Sequence, residues 1–398
     1  MTHIHASAIE SPSDLLSDRP DLVWMSPRTS VFGWGEALRV GAGFGPGRFE
    51  RAERAFSDWC ALAEMQDDGV DAGPVAFSSF TFDDRSAGSV LLVPQYTVVR
   101  RDDRWQSISV DGATRESVAS HSESVSTADR PRYAGASIPD VQWLESVAAA
   151  IDIIEEGGVE KVVLARDYAL WSKTPFDPIR LLRRLEARFP DCFVFRVDGL
   201  VGASPELLVR RTGREVASQT LAGSAARSED PIEDERLGKE LLGSDKDLRE
   251  HASAAASVGR VLGEICERLE REAEPSLLQL ANVQHLATRF EGRLTHAMSA
   301  LAVADRLHPT AAVGGTPTGT AIDLIRRLEH MDRGRYAGPV GWMDAEGDGE
   351  FAIALRCAEL SGARARLFAG AGIVDGSLPE AELEETRIKL LAMQSAFD

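Results

Sequence analysis

The chain has 398 residues, of which 43% are hydrophobic and 27% are charged, the composition of an ordinary globular protein. A formal net charge of −19 argues against nucleic acid and anionic membrane surfaces as partners, because both require a basic footprint. Cys60, Cys192, Cys266 and Cys357 lack the spacing of a zinc site or a disulfide framework, so we expect free thiols. The N-terminal 25 residues lack the pattern of a secretory signal, so we expect a cytoplasmic protein.

The N-terminal part of the chain carries short strand-like patterns. Residues 1–20 are polar and contain proline, so we expect a loose N-terminus, followed by a single domain over residues 21–398. Residues 117–137 are rich in serine, with proline and glycine, and predict a linker inside that domain. The patterns predict a helix at 48–64 and strands at 31–40, 73–82 and 89–100.

Helical and strand patterns alternate from residue 140 onward. Asp140 is predicted to be the N-cap of a helix that ends at two glycines, and Asp177 is predicted to cap a second helix. Short turns between adjacent strands favour antiparallel pairing with helices outside, which predicts an α+β fold. The remaining elements are predicted as strands at 192–198, 206–210, 214–221, 283–294 and 365–374, helices at 247–271, 298–307, 318–330 and from 379, and a hairpin that turns at "DAEGDG".

Two ionisable residues stand at the mouths of apolar strands. Lys161 begins the strand "EKVVLAR", and by pattern alone a solvated strand-end charge is favoured over an amine placed to take a proton. Glu206 precedes another apolar strand, where a strand-entry charge is again the simpler interpretation. Partial burial would instead raise the pKa of the Glu206 carboxyl and allow it to act as a general acid.

Carboxylates recur on two predicted helices. Asp247 and Glu250 share one face at the start of a helix, where acidic residues commonly complement the helix dipole. Glu382, Glu385 and Lys389 share one face of the last helix, and a salt bridge between Glu385 and Lys389 is the simpler explanation. Two such helices could also hold a divalent ion between them, because Mg²⁺ requires oxygen ligands.

Arginine and glycine positions suggest the binding of an anion. Arg356 is predicted to lie inside the apolar strand 351–357, and a buried guanidinium there needs a partner, for which a carboxylate has the best geometry. Gly370 and Gly372 could present backbone N–H groups as a carboxylate nest.

Several smaller features allow both a structural and a functional interpretation. Gly223 and Ser224 could let the backbone approach a ligand closely, although most such glycines form turns. His285 and His308 could each be structural, and we favour that interpretation for His308. The segment 306–319, rich in glycine, proline and threonine, is too long and too specific for a simple spacer.

Ten short segments together resemble the chorismate-utilising enzymes. The resemblance covers about residues 140–396 and is specific, because the segments agree in order and approximate spacing, whereas the N-terminal 115 residues match mainly through "VFGWGEALRV". It implies magnesium dependence and an α+β fold with a large antiparallel β-sandwich core and helices outside. The segments are "EKVVLAR", "GASPELL", "LAGSAARS", "KDLREH", "VQHLAT", "LHPTAAVGGTP", "RYAGPVGW", "GDGEFAIALRC", "FAGAGIV" and "ELEETRIK".

Two positions indicate which branch of this family the chain resembles. Enzymes of the family that add ammonia carry glutamine at the position of Lys161, whereas those that add water carry a lysine. Aminodeoxychorismate synthases carry a nucleophilic lysine at the position of Ala222, so both positions imply water. Salicylate synthases share the first lysine but usually carry threonine at the position of Ala312.

The resemblance therefore implies an isochorismate synthase. The expected reaction is the reversible, magnesium-dependent isomerisation of chorismate to isochorismate, by attack of water at ring carbon 2 and loss of the hydroxyl at carbon 4. Its product would feed siderophore or menaquinone biosynthesis. The alternatives are a salicylate synthase with isochorismate-pyruvate lyase activity and an ammonia-using anthranilate or aminodeoxychorismate synthase subunit. We expect a monomer that needs no protein partner.

The resemblance also assigns roles to individual residues. Lys161, as an uncharged amine, would be the base, and Glu206, as a protonated carboxyl, would be the acid. Mg²⁺ would bind to Glu250 and Glu385, with Glu382 acting through water. The substrate-binding residues would be Lys389 with Gly370 and Gly372 for the ring carboxylate, Arg356 and Tyr336 for the enolpyruvyl carboxylate, and Gly223, Ser224, His285 and Ala312 around the ring.

Overall fold

Two large β-sheets share one hydrophobic core. The computed structural model describes residues 2–67, 69–70, 72–118, 130–281 and 283–398. Apolar side chains from both sheets enter the same buried cluster, because alternate strand residues point towards the facing sheet. The result is a layered structure in which helices pack around the two sheets.

The first sheet contains thirteen strands among the described residues. One short strand, β19 (Gly315–Thr316), pairs with β11 beside the main path. The order across the sheet is β10 (Arg132–Gly135), β11 (Lys161–Trp171), β23 (Arg364–Val374), β22 (Cys357–Ser361), β13 (Leu200–Ser204), β12 (Phe193–Val197), β2 (Leu22–Met25), β3 (Thr29–Trp34), β8 (Tyr96–Arg101), β9 (Arg104–Val110), β1 (Thr2–Ile9) and β5 (Ala63–Asp67).

The second sheet contains ten strands in the described part of the chain. Strand β17 (Ser276–Gln279) pairs with β18 beside the main path. The order is β16 (Cys266–Arg271), β18 (Val283–Leu294), β15 (Glu215–Ala226), β14 (Leu207–Thr212), β21 (Gly349–Ile353), β20 (Pro339–Asp344), β6 (Val75–Ser79), β7 (Val90–Val93) and β4 (Leu38–Gly41).

Helices fill the connections and cover the sheets. A short 3-10 helix spans Leu15–Asp18. No helix of the described residues is long and apolar enough to cross a membrane. The α-helices are α1 (Arg48–Ala61), α2 (Arg115–Val118), α3 (Asp140–Glu155), α4 (Pro178–Arg188), α5 (Pro231–Gly243), α6 (Asp245–Ile265), α7 (Ala300–Leu307), α8 (Thr318–Leu328) and α9 (Pro379–Phe397).

The α+β prediction is confirmed. Among the described strand pairs, β1 with β5 is parallel and the rest are antiparallel, as short connections between neighbouring strands require. The N-cap predicted for α4 is also present, since the Asp177 carboxylate accepts a hydrogen bond from the N–H of Ile179 at 3.0 Å.

Several local predictions differ from the structure. Residues 1–20 were expected to be loose, but Thr2–Ile9 form β1, which lies between β9 and β5. The helix predicted over 247–271 ends at Ile265, and the next six residues form β16 because they pair with β18. Asp140 is the first residue of α3 rather than its N-cap, and its carboxylate pairs with arginines instead.

The N-terminal strand patterns also divide differently. Residues 31–40 contribute to β3 and β4, which belong to different sheets, and residues 89–100 divide at Pro94 into β7 and β8 in the same way. Proline cannot donate to a strand ladder, which suits the point where the chain changes sheet. Of the linker predicted at 117–137, residues 119–129 lie outside the described residues, while Arg132–Gly135 form β10.

Two of the points where the chain crosses between the sheets are neighbours and hydrogen-bond to each other. Strand β13 of the first sheet leads into β14 of the second through Pro205 and Glu206, and β21 of the second leads into β22 of the first through the turn at Arg356. Glu206 O accepts a hydrogen bond from Ile353 N at 3.2 Å, and Arg356 O accepts one from Ala203 N at 3.1 Å. The two crossovers therefore hold one another in place.

Ser204 joins these crossovers, so Ser204→Ala should lower the free energy of unfolding by about 1–3 kcal/mol. Its hydroxyl donates to Ile353 O at 2.6 Å and accepts from the N–H of Glu206 at 3.2 Å. Alanine would leave that buried N–H without an acceptor. Urea-induced unfolding measures the change, and Ser17→Ala at an exposed hydrogen bond should stay within about 0.5 kcal/mol of wild type as the control. Equal losses in the two variants would contradict the prediction.

Candidate active site

A cavity at the junction of the two sheets collects most of the predicted site residues. Strand β23 contributes from the first sheet, β15 and β18 contribute from the second, and α6 and α9 close the remaining side. Of the fourteen residues predicted from the sequence, twelve line it: Glu206, Gly223, Ser224, Glu250, His285, Ala312, Tyr336, Arg356, Gly370, Gly372, Glu385 and Lys389.

Lys161 lies directly behind the cavity wall. Its side chain is only 1% exposed, and its Nζ lies 3.0 Å from Oε1 of Glu250, which does line the cavity. Gly372 of β23 leaves room for this pair, since a Cβ there would lie 2.3 Å from Glu250 Oε1 and 3.1 Å from Lys161 Cε. The amine of Lys161 therefore lies directly behind Glu250 and the Gly372 backbone, which both line the cavity.

Glu206 is a buried carboxyl at the first crossover. It is 3% exposed, and its Oε1 accepts a long hydrogen bond of 3.4 Å from the N–H of Leu221. Burial raises the pKa of Glu206 to about 8, although that hydrogen bond and the nearby cations of Lys161 and Arg356 act in the opposite direction. The carboxyl is therefore mostly protonated at pH 7 and can donate a proton.

Arg356 corrects one prediction and supports another. It lies in the turn between β21 and β22 rather than inside a strand, with a φ of 46° that side-chain-bearing residues rarely adopt. Its Nη2 donates to Nε2 of His285 at 3.0 Å, and no salt bridge joins it to a carboxylate of the described residues. A guanidinium that faces a cavity without a counter-ion is suited to bind an incoming carboxylate.

His285 holds Arg356 as a neutral ring. Burial, together with the charges of Arg356 and Lys389, lowers the pKa of His285 to about 3. Its Nδ1 lies 3.2 Å from Gly223 O and donates to that carbonyl, which leaves Nε2 free to accept from Arg356. Gly223 forms a β-bulge in β15 and has a φ of 74°, a conformation that favours glycine. This conformation directs the Gly223 carbonyl towards His285.

Glu385 is the most strongly acidic carboxyl of the cavity. Burial alone would raise its pKa, but Lys389, whose Nζ lies 2.6 Å from Oε1, and the hydroxyl of Ser224 at 2.8 Å lower the pKa to about 2. Lys389 also donates to Gly370 O at 3.0 Å, which fixes the ammonium against β23. The i to i+4 salt bridge that spacing alone favoured is therefore present, and it lies within the cavity.

Glu250 and Glu385 provide ligands of the type that Mg²⁺ prefers. Both carboxylates line the cavity, one from α6 and one from α9. Within the described residues, no group of three or more His, Cys, Asp or Glu side chains is placed to hold a metal by itself. Mg²⁺ commonly binds one or two carboxylates and completes its shell with water and substrate oxygens, so the two residues fit such an ion.

Glu382 lies outside the cavity lining. It is buried behind α6, where Nζ of Lys246 lies 2.9 Å from its Oε1. Burial and the neighbouring charge of Glu385 raise the pKa of Glu382. Each of the three carboxylates predicted to bind metal thus has a lysine partner, and Glu382 is the one furthest from the cavity lining.

Two residues near the carboxylates predicted to bind metal were not themselves predicted from the sequence. Lys246 is one, and His251 is the other: its Nδ1 lies 3.2 Å from Ala222 O and its Nε2 lies 2.7 Å from Thr288 Oγ1. His251 thereby ties α6, and with it the neighbouring Glu250, to the second sheet. Both lie in the segment "KDLREH", which marked the place but not the contacts.

Apolar residues complete the cavity and set its shape. Tyr336 stacks on Phe368 with ring centroids 5.0 Å apart, and burial raises the pKa of the Tyr336 phenol, which stays neutral. His308 packs against Phe49 and Phe82 and does not line this cavity, as a structural role requires. Ala222, which the resemblance had singled out, also lines the cavity. The apolar lining residues that were not predicted are Val163, Pro205, Leu221, Val313, Leu355, Phe368 and Ala369.

Comparison with known proteins assigns the chain to a family. Residues 16–398 match the family described as chorismate binding enzyme, and the chain belongs to it. The chain is 36% identical to the salicylate biosynthesis isochorismate synthase of Pseudomonas aeruginosa over 95% of this chain and 85% of that relative. It is 37% identical to the isochorismate synthase DhbC of Bacillus subtilis, over 85% and 84%. The structure of DhbC from Bacillus anthracis superposes with a TM-score of 0.80 at 32% identity, covering 96% of this chain and 98% of that one.

The raised pKa of Glu206 predicts a pH-dependent difference between wild type and Glu206→Gln. The stabilising contribution of the protonated carboxyl is complete below its ordinary pKa of 4.5 and is lost as the pH rises through about 8. Glutamine stays neutral, so the variant should gain stability over wild type across that window, by at most about 1.4 kcal/mol per pH unit. Denaturant unfolding at several pH values measures it, and a difference independent of pH would contradict the assignment.

Proposed function

We propose that this chain is an isochorismate synthase, which converts chorismate reversibly to isochorismate. The observation that carries the proposal is a cavity lined by the protonated carboxyl of Glu206 and by the cations of Arg356 and Lys389, with the amine of Lys161 directly behind its wall. The named relatives are isochorismate synthases, which agrees with this chemistry. A protonated acid and a nearby amine are the two groups that exchange of one C–O bond for another requires.

Lys161 would accept a proton from water while the water oxygen bonds to ring carbon 2. Glu206 would donate its proton to the hydroxyl on carbon 4, which leaves as water while the ring double bonds shift. One water enters and one leaves, so the reaction is an isomerisation and no oxidant is needed. Glu206 then regains a proton and Lys161 loses one, which returns both groups to their starting states.

Local cations allow an acidic protein to bind a dianion. The formal charge of −19 belongs to the whole chain, whereas Arg356 and Lys389 place positive charge in the cavity itself. Arg356, with Tyr336 beside it, would bind the enolpyruvyl carboxylate. Lys389 and the backbone at Gly370 and Gly372 would bind the ring carboxylate.

The proposal includes one bound Mg²⁺, held by Glu250 and Glu385. When bound, the ion would supply positive charge to which a substrate carboxylate can coordinate. Glu382, already buried against Lys246, would act only through water. We further propose that the enzyme acts in the cytoplasm and without a protein partner.

The identity of the products tests the proposed function directly. Purified protein incubated with chorismate and Mg²⁺ should yield isochorismate alone, with or without added ammonia, because Lys161 occupies the position of the base that activates water. Separation of the products by liquid chromatography distinguishes the outcomes. Salicylate with pyruvate would show a salicylate synthase, and anthranilate or aminodeoxychorismate in the presence of ammonia would show an ammonia-using subunit.

Lys161→Ala should lower kcat by about 10²- to 10⁴-fold, because removal of a catalytic acid or base typically costs that much. Chorismate binding in the presence of Mg²⁺ should remain, as measured by isothermal titration calorimetry, since Arg356 and Lys389 are unchanged. The exposed Lys239→Ala on α5 serves as the control and should match wild type. A Lys161→Ala enzyme with a near wild-type rate would show that another group is the base.

A further inference from the structure

Strand β11, which begins with Lys161, has an incomplete outer edge. One edge pairs with β23 along the whole strand. At the other edge β19 pairs with the first two residues and β10 with the last three, so in the described part of the chain residues 163–168 have no strand partner there. Buried backbone groups without partners would be costly, so something else must satisfy them.

The side chains of Glu329 and Arg333 take the place of the missing strand. Ala165 N donates to Oε1 of Glu329 at 2.8 Å, and Nη2 of Arg333 donates to Val163 O at 2.7 Å. The carboxylate thus supplies an acceptor and the guanidinium a donor, as a neighbouring strand would. Both side chains are almost fully buried, at 3% exposed each, and they bond to one another.

The same pair reaches two further parts of the cavity wall. Nη1 of Arg333 donates to Val313 O at 2.8 Å, and Val313 with the adjacent Ala312 lines the cavity. Arg333 O accepts a hydrogen bond at 3.1 Å from the N–H of Tyr336, another lining residue. The side chains of this ion pair therefore join the strand of Lys161 to the loop at Ala312, and the main chain of Arg333 adds a hydrogen bond to the turn at Tyr336.

Stability alone is a weak reason for this arrangement. A buried ion pair pays desolvation for two charges, and well-packed apolar residues often replace such pairs without loss of stability. Apolar side chains would fill the same space but could not bond to Val163 O, Ala165 N and Val313 O. What the charged pair adds is a fixed geometry between two backbone segments beside the cavity, β11 and the loop at Val313.

We propose that Glu329 and Arg333 form a positioning pair that sets the place of Lys161 relative to the bound substrate. Neither residue lines the cavity, so both act through the backbone that they hold. The inference rests on the proposed function, because Lys161 matters as the base of that reaction. Displacement of a base by about 1 Å can cost on the order of 10²-fold in rate.

The test is the double variant Glu329→Met/Arg333→Met, which removes both charges and keeps similar volume. We expect it to fold, with kcat reduced about 10- to 100-fold and KM for chorismate changed by less than about threefold. The partly buried pair Arg101–Asp344 of β8 and β20 does not line the cavity, so Arg101→Met/Asp344→Asn is the control and should keep wild-type kcat. Arg333→Lys, which keeps the charge and one donor, should recover part of the lost kcat.

Hydrogen exchange reports on the strand independently of turnover. Peptides that cover residues 161–168 should exchange faster in the double variant than in wild type, whereas those of β8 and β20 should not. A folded double variant with wild-type kcat, or with unchanged exchange at residues 161–168, would overturn the proposal. Inactive wild-type enzyme would instead refute the proposed function, and the exchange result would still show whether the pair holds β11.

Discussion

The cavity depends on two neighbouring points where the chain crosses from one sheet to the other. Glu206 and Arg356 occupy these crossovers, and backbone hydrogen bonds join the crossover segments to each other. A buried protonated carboxyl and a guanidinium without a carboxylate partner among the described residues are thereby placed at the junction of the sheets, where the cavity lies. The left-handed backbone conformation of Arg356 is strained, and the hydrogen-bonded strands on either side of the turn hold it in place.

Burial and direct contacts determine which ionisable groups of the cavity are charged. Glu206 stays protonated because it is buried without a direct ion-pair partner, whereas Glu385 stays ionised because Lys389 and Ser224 contact it. Two carboxyl groups of one cavity therefore have opposite protonation states near pH 7, which suits one as a proton donor and the other as a metal ligand. His285 remains neutral for the same reason as Glu206, and so it can accept a hydrogen bond from Arg356.

The family motifs predicted the residues of the site more completely than the hydrophobic patterns predicted the helices and strands. The family resemblance brought Glu250, Glu385 and Lys389 together, and all three line one cavity, whereas helical spacing accounts only for Glu385 and Lys389 sharing a face of α9. Local patterns failed where a distant strand decided the outcome: residues 266–271 look helical, yet they pair with β18. The N-terminal strand β1 was missed for the same reason, since its partners β5 and β9 are more than fifty residues away.

By itself, the sequence determined the fold class, the family and the identity of most residues around the cavity. These follow from spacing, alternation and motif order, which are local or ordered along the chain. Only the tertiary structure showed that Lys161 pairs with Glu250, that Arg356 faces the cavity without a carboxylate partner, and that Glu329 and Arg333 complete the edge of β11. Such contacts depend on burial and on groups far apart in the chain, and neither is encoded in the spacing of a single segment.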